Sequence, residues 1–153
     1  MRPPPIPLSL AVVLVSWAMF LAQTPTPAPA PSFDRLELSQ GGGFTGAVSG
    51  YRLEPSGRVT RFQRLPGRPE AAAPLGALAA ERLKQLAALL SQVDLGSLPP
   101  GTPGNMTCSL EVQRAERTVT VLWPGLYDDA PEALKPLVRE LLAAFQELET
   151  AKP

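Results

Sequence analysis

The chain has 153 residues, with 14 basic and 14 acidic side chains, one cysteine and no histidine. Such a balanced charge gives no general attraction to nucleic acid or to anionic lipid. Without histidine the chain lacks the commonest general base at neutral pH and the commonest zinc ligand, which argues against metal sites and catalytic triads.

The chain begins with Arg2, followed by an uncharged apolar run over residues 6–22. A basic start before an apolar run shorter than the about 20 residues of a spanning helix is typical of a secretory signal. Ala22 suits the last position of a cleaved signal, but Phe20 is too bulky for the third-last position. We predict that residues 1–22 are either a signal peptide or an uncleaved membrane anchor. The protein is then exported, and is extracellular, periplasmic or anchored facing outward.

Residues 23–32 form a proline-rich spacer in which proline alternates with threonine or alanine. Such a tract favours an extended polyproline conformation that would hold the next domain roughly 25 Å from an anchor, at about 3.1 Å per residue. It is either a functional spacer or a leader without a role after cleavage. Residues 33–149 are predicted to be a single domain with one modest core.

The first half of the domain predicts three strands, at residues 33–38, 47–53 and 58–65. A glycine-rich loop separates the first two, and Pro55-Ser56-Gly57 provides turn residues between the second and third. Proline pre-sets φ in such a turn and glycine accepts positive φ. The second and third strands are therefore predicted to form a hairpin.

The second half predicts a helix, a further hairpin and a last helix. Leucines recur at helical spacing over residues 78–93, strands follow at residues 106–113 and 118–123, and an apolar stripe extends from Pro131 to Leu148. The order β-β-β-α-β-β-α indicates an α+β fold. We expect a mostly antiparallel sheet of four to five strands with two amphipathic helices on one face.

The residues that could support catalysis are few. The densest group of carboxylates is Asp128, Asp129 and Glu132, around the predicted start of the last helix, with Pro131 in its first turn. Such residues either cap the helix and complement its dipole, or form a calcium or catalytic site. Cys108 alternates with polar neighbours and is predicted to be a small buried side chain; the alternatives are a nucleophile or an intermolecular disulfide. We predict no enzymatic activity, no cofactor and no metal.

The glycine-rich loop from Gly41 to Gly46 is the strongest candidate for partner contact. It lacks the Lys-Ser/Thr pair and the following helix of a phosphate-binding loop, so it is predicted to be a bulge or wide turn. Phe44 is then either displayed to a protein partner or folded back over the sheet edge. The predicted binding residues are Gly42, Gly43, Phe44, Thr45 and Gly46.

Five arginines cluster on and around the second and third predicted strands. They either form a solvated edge that discourages aggregation, or bind an acidic partner or lipid headgroups. The cluster consists of Arg52, Arg58, Arg61, Arg64 and Arg68.

With these elements placed, the chain resembles the emfourin family, small proteinaceous inhibitors of thermolysin-like metalloproteases such as protealysin. The resemblance is carried by Leu36-Glu37-Leu38, by Gly42-Gly43-Phe44-Thr45-Gly46, by the leucine helix ending at Val93-Asp94, by Thr118-Val119-Thr120-Val121 and by the helix from Pro131 to Leu148. The apolar N-terminal run and the arginine-rich hairpin are departures from that family. The resemblance therefore implies the fold more directly than the activity.

The expected function is that of an exported, non-catalytic binding domain. The resemblance implies a protein partner that is a thermolysin-like protease. We expect the glycine-rich loop and an adjacent strand edge to touch the partner, because an extended edge can mimic a substrate by strand addition. The alternative is a structural or envelope-associated domain. The sequence does not specify the oligomeric state.

Overall fold

A computed structural model describes residues 32–151. Six strands and two helices lie within this part of the chain. The strands are β1 (Arg35–Gly42), β2 (Ala47–Leu53), β3 (Arg58–Arg64), β4 (Ala71–Ala77), β5 (Met106–Arg114) and β6 (Arg117–Pro124), and the helices are α1 (Ala80–Ser91) and α2 (Lys135–Thr150). The predicted signal or anchor at residues 1–22, and all of the spacer except Ser32, lie outside the described residues.

The six strands form one sheet in the order β4-β3-β2-β1-β5-β6, and every neighbouring pair is antiparallel. The predicted α+β class and antiparallel sheet are confirmed. The predicted elements occur in the predicted order, but the sheet has one strand more than the expected four to five. The added strand is β4, which lies between the predicted third strand and the predicted first helix.

The sequence does not predict β4 because Ala-Ala-Ala-Pro-Leu-Gly-Ala lacks the β-branched and aromatic residues that favour strands. It forms because β3 offers a hydrogen-bonding edge, and it lies at the margin of the sheet, where a proline such as Pro74 is tolerated. Pairing with β3 therefore outweighs the low strand propensity of these residues.

The hydrophobic core lies on one face of the sheet. Leu36 and Leu38 of β1 alternate with polar residues and belong to the same buried cluster as Leu110 of β5, Leu86 of α1 and Leu141 of α2. Each such side chain contributes about 1.5–3 kcal/mol on burial. Because both helices share this cluster with the same side of the strands, both pack on one face, as predicted.

The last helix begins later than expected. The sequence predicted a start at Pro131 capped by Asp128 or Asp129, whereas α2 begins at Lys135. A single 3-10 turn occupies residues 127–129, and the Asp129 carboxylate accepts a hydrogen bond from the Leu126 N–H at 2.7 Å. Asp129 therefore closes this earlier turn, and the predicted capping role on the long helix is wrong.

Neither α1 nor α2 combines the length and the hydropathy needed to traverse a bilayer, and no other helix in residues 32–151 does so.

Candidate functional site

The glycine-rich segment forms a tight turn between β1 and β2. Gly42 is the last residue of β1, so the turn itself comprises Gly43 to Gly46. Gly42, Gly43 and Gly46 have φ values of 116°, 67° and 60°, in the region that residues with a side chain rarely adopt. The glycines are therefore required by the backbone of the turn.

The base of the turn is fixed against the chain that enters β5. The Gly43 N–H donates to the Asn105 carbonyl oxygen at 2.6 Å, and the Gly46 N–H donates to the Gly43 oxygen at 3.3 Å. A Cβ atom on Gly42 would lie 2.3 Å from the Asn105 oxygen, so only glycine permits this approach. The Thr45 hydroxyl accepts a hydrogen bond from the Ala47 N–H at 3.3 Å. These contacts hold the turn in one conformation.

Phe44 projects from this turn into solvent. Its relative accessibility is 108%, so the ring does not fold back over the sheet. Of the two alternatives that the sequence left open for Phe44, the structure shows the side chain displayed to solvent. An aromatic side chain of this size usually loses contact with water on folding, and a fully exposed one is available to a partner.

A second exposed hydrophobic residue, Leu126, lies at the same end of the sheet. Gly42 is opposite Met106 and Thr107 is opposite Pro124, so the β1–β2 turn and the segment after β6 emerge together. Leu126 is 59% exposed. We call Phe44, Leu126 and the Gly43–Gly46 turn the sheet-end surface.

The backbone holds Leu126 in this position. The Trp123 indole donates to the Leu126 carbonyl oxygen at 3.0 Å, while the Leu126 N–H donates to Asp129. Both polar groups of the residue are thus engaged and the side chain is left outside. The sequence does not predict the exposure of Leu126, because a single leucine after Pro124-Gly125 gives no periodic signal.

The expectation of an open strand edge beside the glycine-rich turn is wrong. Strands β1 and β2 are both interior, because β5 pairs with β1 and β3 pairs with β2. The edges of the sheet are β4 and β6. The chain at Gly101 lies against β6, since a Cβ atom there would fall 1.6 Å from the Leu122 oxygen. Contact at the turn must therefore use side chains and loop backbone instead of strand addition.

Two arginines and two glutamates form a closed ring of ion pairs on the helix-free face of the sheet. Arg52 contacts Glu37 at 3.1 Å and Glu70 at 3.1 Å, and Arg64 contacts the same two carboxylates at 2.7 Å each. The guanidinium carbons of Arg52 and Arg64 lie 5.1 and 4.4 Å from the centre of the Phe62 ring, which they cover. We call this group the arginine–glutamate ring.

The other strand arginines of the cluster are also paired. Arg58 contacts Glu54 at 2.7 Å, and Arg61 lies 3.4 Å from Glu149 of α2. The arginines of β2 and β3 do not form a solvated edge of the sheet, because β4 pairs with β3 on its outer side. Arg52, Arg61 and Arg64 join strands to each other and to a helix, and the sequence could not indicate this because their partners Glu37 and Glu149 are distant along the chain.

Glu70 makes the arginine–glutamate ring sensitive to acid. Hydrogen bonds from Arg52, with those from Arg64, hold the pKa of the Glu70 carboxyl below its ordinary value. A carboxyl with a lowered folded-state pKa stabilises the fold above its unfolded pKa of about 4.3, and this contribution is lost as the pH falls through the folded pKa.

Glu70→Gln is therefore expected to flatten the decrease in the free energy of unfolding between about pH 5 and pH 3. Urea denaturation across this range measures the effect. Glu116→Gln, in the exposed β5–β6 turn, is the matched control and should keep the wild-type pH dependence. If the free energy of unfolding of Glu70→Gln and of the wild type falls in parallel with pH, the arginine–glutamate ring contributes no acid sensitivity.

Cys108 lies in the core, as predicted. Its side chain is fully buried, and burial, with a smaller effect from the Asp129 charge, raises the pKa of the thiol to about 11. A thiol with such a raised pKa is a weak nucleophile at neutral pH. Its polar contact is with the Gly125 carbonyl oxygen at 3.5 Å, so it joins β5 to the segment after β6.

Two of the three carboxylates near the last helix are occupied locally, and the third, Asp128, is exposed. Asp129 accepts from Leu126, and Glu132 pairs with Lys135 one turn further on. Within residues 32–151, no three His, Cys, Asp or Glu side chains are grouped in a way that could hold a metal ion.

No protein-family model matches this chain, and no curated protein matches it.

Proposed function

We propose that this protein is an exported, non-catalytic binding domain whose sheet-end surface contacts a protein partner, and that the partner is a thermolysin-like metalloprotease. The observation that carries the proposal is the complete exposure of Phe44 on a turn whose backbone is held in place. The choice of protease rests on the resemblance of the turn and the flanking elements to the emfourin family.

Phe44 suits the role of an anchor in an interface. Aromatic residues are enriched among the few side chains that carry most of the binding energy, and burying one phenylalanine contributes about 1.5–3 kcal/mol. The hydrogen bond between Gly43 and Asn105 fixes the base of the turn before a partner arrives. Such preorganisation lowers the entropy lost on association.

The sheet end also supports a contact that extends beyond one side chain. Leu126 adds apolar surface at the same end, and the exposed Thr45 and Gly46 lie beside Phe44 in the turn. A partner pocket that takes the Phe44 ring would be bordered by these groups. This is loop recognition, in which the strands serve as a rigid support.

An inhibition assay tests the proposal directly. The purified protein is titrated against thermolysin-like proteases, and a concentration-dependent loss of peptide hydrolysis is expected. Phe44→Ala should weaken inhibition at least about tenfold, and Leu126→Ala should weaken it less, because truncating a central anchor costs about 2 kcal/mol or more. Lys84→Ala, an exposed change on α1, is the control and should inhibit like the wild type.

Two results would contradict the proposal. Protease activity that is unchanged by a large excess of the wild-type protein would remove the inhibitor function and favour the structural or envelope-associated alternative. Equal inhibition by the wild type and by Phe44→Ala would show that another surface makes the contact.

A further inference from the structure

Arg114 and Arg117 lie opposite each other at the far end of the sheet from Phe44. They are the last residue of β5 and the first of β6, and they pair directly across the hairpin. Both fall on the helix side of the sheet, because Val112 and Val119, two residues away along each strand, pack toward the core. Residues paired directly across an antiparallel ladder have Cβ atoms about 4.5–5.5 Å apart, and like charges there repel.

Neither guanidinium has an acidic partner within the described part of the chain. No carboxylate oxygen of residues 32–151 lies within 4.0 Å of either guanidinium, whereas Arg35, Arg52, Arg58, Arg61 and Arg64, the arginines of β1 to β3, each have a glutamate partner. The tight turn keeps the two strand ends together. It contains Ala115, whose φ is 50° and whose N–H donates to the Asp34 carboxylate.

The two arginines border a cleft. Its volume is about 180 Å³, several times the about 30 Å³ that one water molecule occupies in the liquid. Apolar side chains line much of it, and the segment at residues 93–96 forms the opposite wall. Arg117 reaches toward that wall, with its Nη2 atom 4.0 Å from the position that a Cβ atom would take on Gly96. The apolar lining consists of Val93, Leu95, Val112 and Val119.

Asp94 also lines the cleft, but one of its oxygens is already used. Its Oδ1 atom accepts a hydrogen bond from the Gly96 N–H at 3.1 Å, which closes the short turn there. The cleft therefore combines two positive groups, one negative group and an apolar wall. The apolar wall, which inorganic phosphate could not contact favourably, favours an anion with an apolar body.

We infer that this cleft binds a carboxylate carried on a short aliphatic body, with Arg114 and Arg117 holding the carboxylate and the valines contacting the aliphatic part. The arginine fork donates two parallel hydrogen bonds that match the two oxygens of a carboxylate. The same chemistry occurs in a free branched-chain acid and in the C-terminus of a peptide that ends in an aliphatic residue. The inference is independent of the proposed inhibitor function, because the cleft and the sheet-end surface are at opposite ends of the strands.

The test is a titration of the isotope-labelled full chain followed by amide chemical shifts. The probes are 4-methylpentanoate, for the free acid, and N-acetylleucine, for a peptide C-terminus; their uncharged amides are the matched ligands. Saturable shifts are expected for the amides of residues 93–96 and 112–119, with dissociation constants on the order of 1 mM. A preference for one acid distinguishes the two sources.

Arg114→Gln/Arg117→Gln should weaken binding at least about tenfold for each arginine removed, because a hydrogen bond to a charged group is worth that much or more. The control, Arg68→Gln/Arg139→Gln, removes the same charge from exposed positions elsewhere and should bind like the wild type. Any of four results would overturn the inference. These are an amide that binds as tightly as its acid, a control variant that loses as much affinity as the Arg114/Arg117 variant, inorganic phosphate that binds more tightly than the acids, or the absence of any saturable shift.

Discussion

Replacing Phe145 with alanine is expected to lower the free energy of unfolding by about 3–5 kcal/mol. Phe145 lies in α2, is fully buried, and stacks on Tyr51 of β2 with ring centroids 4.8 Å apart. The change removes the transfer free energy of the ring and leaves a cavity between the helix and the sheet. Urea denaturation followed by circular dichroism measures the loss.

Phe44→Ala is the matched control, since it is the same substitution at a position with 108% accessibility. It should change the free energy of unfolding by no more than about 0.5 kcal/mol, because the ring contacts water in the folded state as it does in the unfolded state. Comparable losses for the two variants would show that Phe44 packs against the domain. Their contrast also establishes that a binding defect in Phe44→Ala is not a folding defect.

Glu37→Gln is expected to destabilise the domain by about 2–3 kcal/mol. Glu37 is 5% exposed and is shared by Arg52 and Arg64, so removing its charge leaves two guanidiniums that lack one of their two carboxylates. Breaking a buried ion pair costs about 3–5 kcal/mol. We expect a smaller loss in the free energy of unfolding than for a fully buried pair, because both arginines retain Glu70 and Arg64 is partly exposed.

Glu54→Gln provides the comparison for this prediction. Glu54 pairs with Arg58, whose side chain is 64% exposed, and such surface pairs contribute about 0–1 kcal/mol. Urea denaturation at neutral pH measures both variants. An equal effect of the two glutamine substitutions would indicate that the arginine–glutamate ring is no stronger than a solvated pair, and that Phe62 is kept from water by other contacts.

The sequence by itself determined most of the secondary structure. Strand β2 has the predicted bounds, and β3, β5, β6 and α1 lie within one or two residues of theirs, because alternation and helical spacing record which side of each element faces the core. The same alternation predicted that the Cys108 side chain is buried. The glycines between the first two strands predicted a bulge or wide turn, whereas the structure has a tight turn at Gly43–Gly46 in which Gly43 and Gly46 adopt positive φ.

Only the tertiary structure decided the existence of β4, the later start of α2 and the pairing of the arginines. None of the three follows from local residue preference: β4 forms on the free edge of β3, α2 starts after a turn closed by the hydrogen bond between Leu126 and Asp129, and Arg64 and Arg61 pair with Glu37 and Glu149, which are distant in sequence. The same holds for the two candidate sites. Phe44 and Leu126 share one end of the sheet, and Arg114 and Arg117 share a cleft with residues 93–96, because antiparallel pairing brings separated segments together.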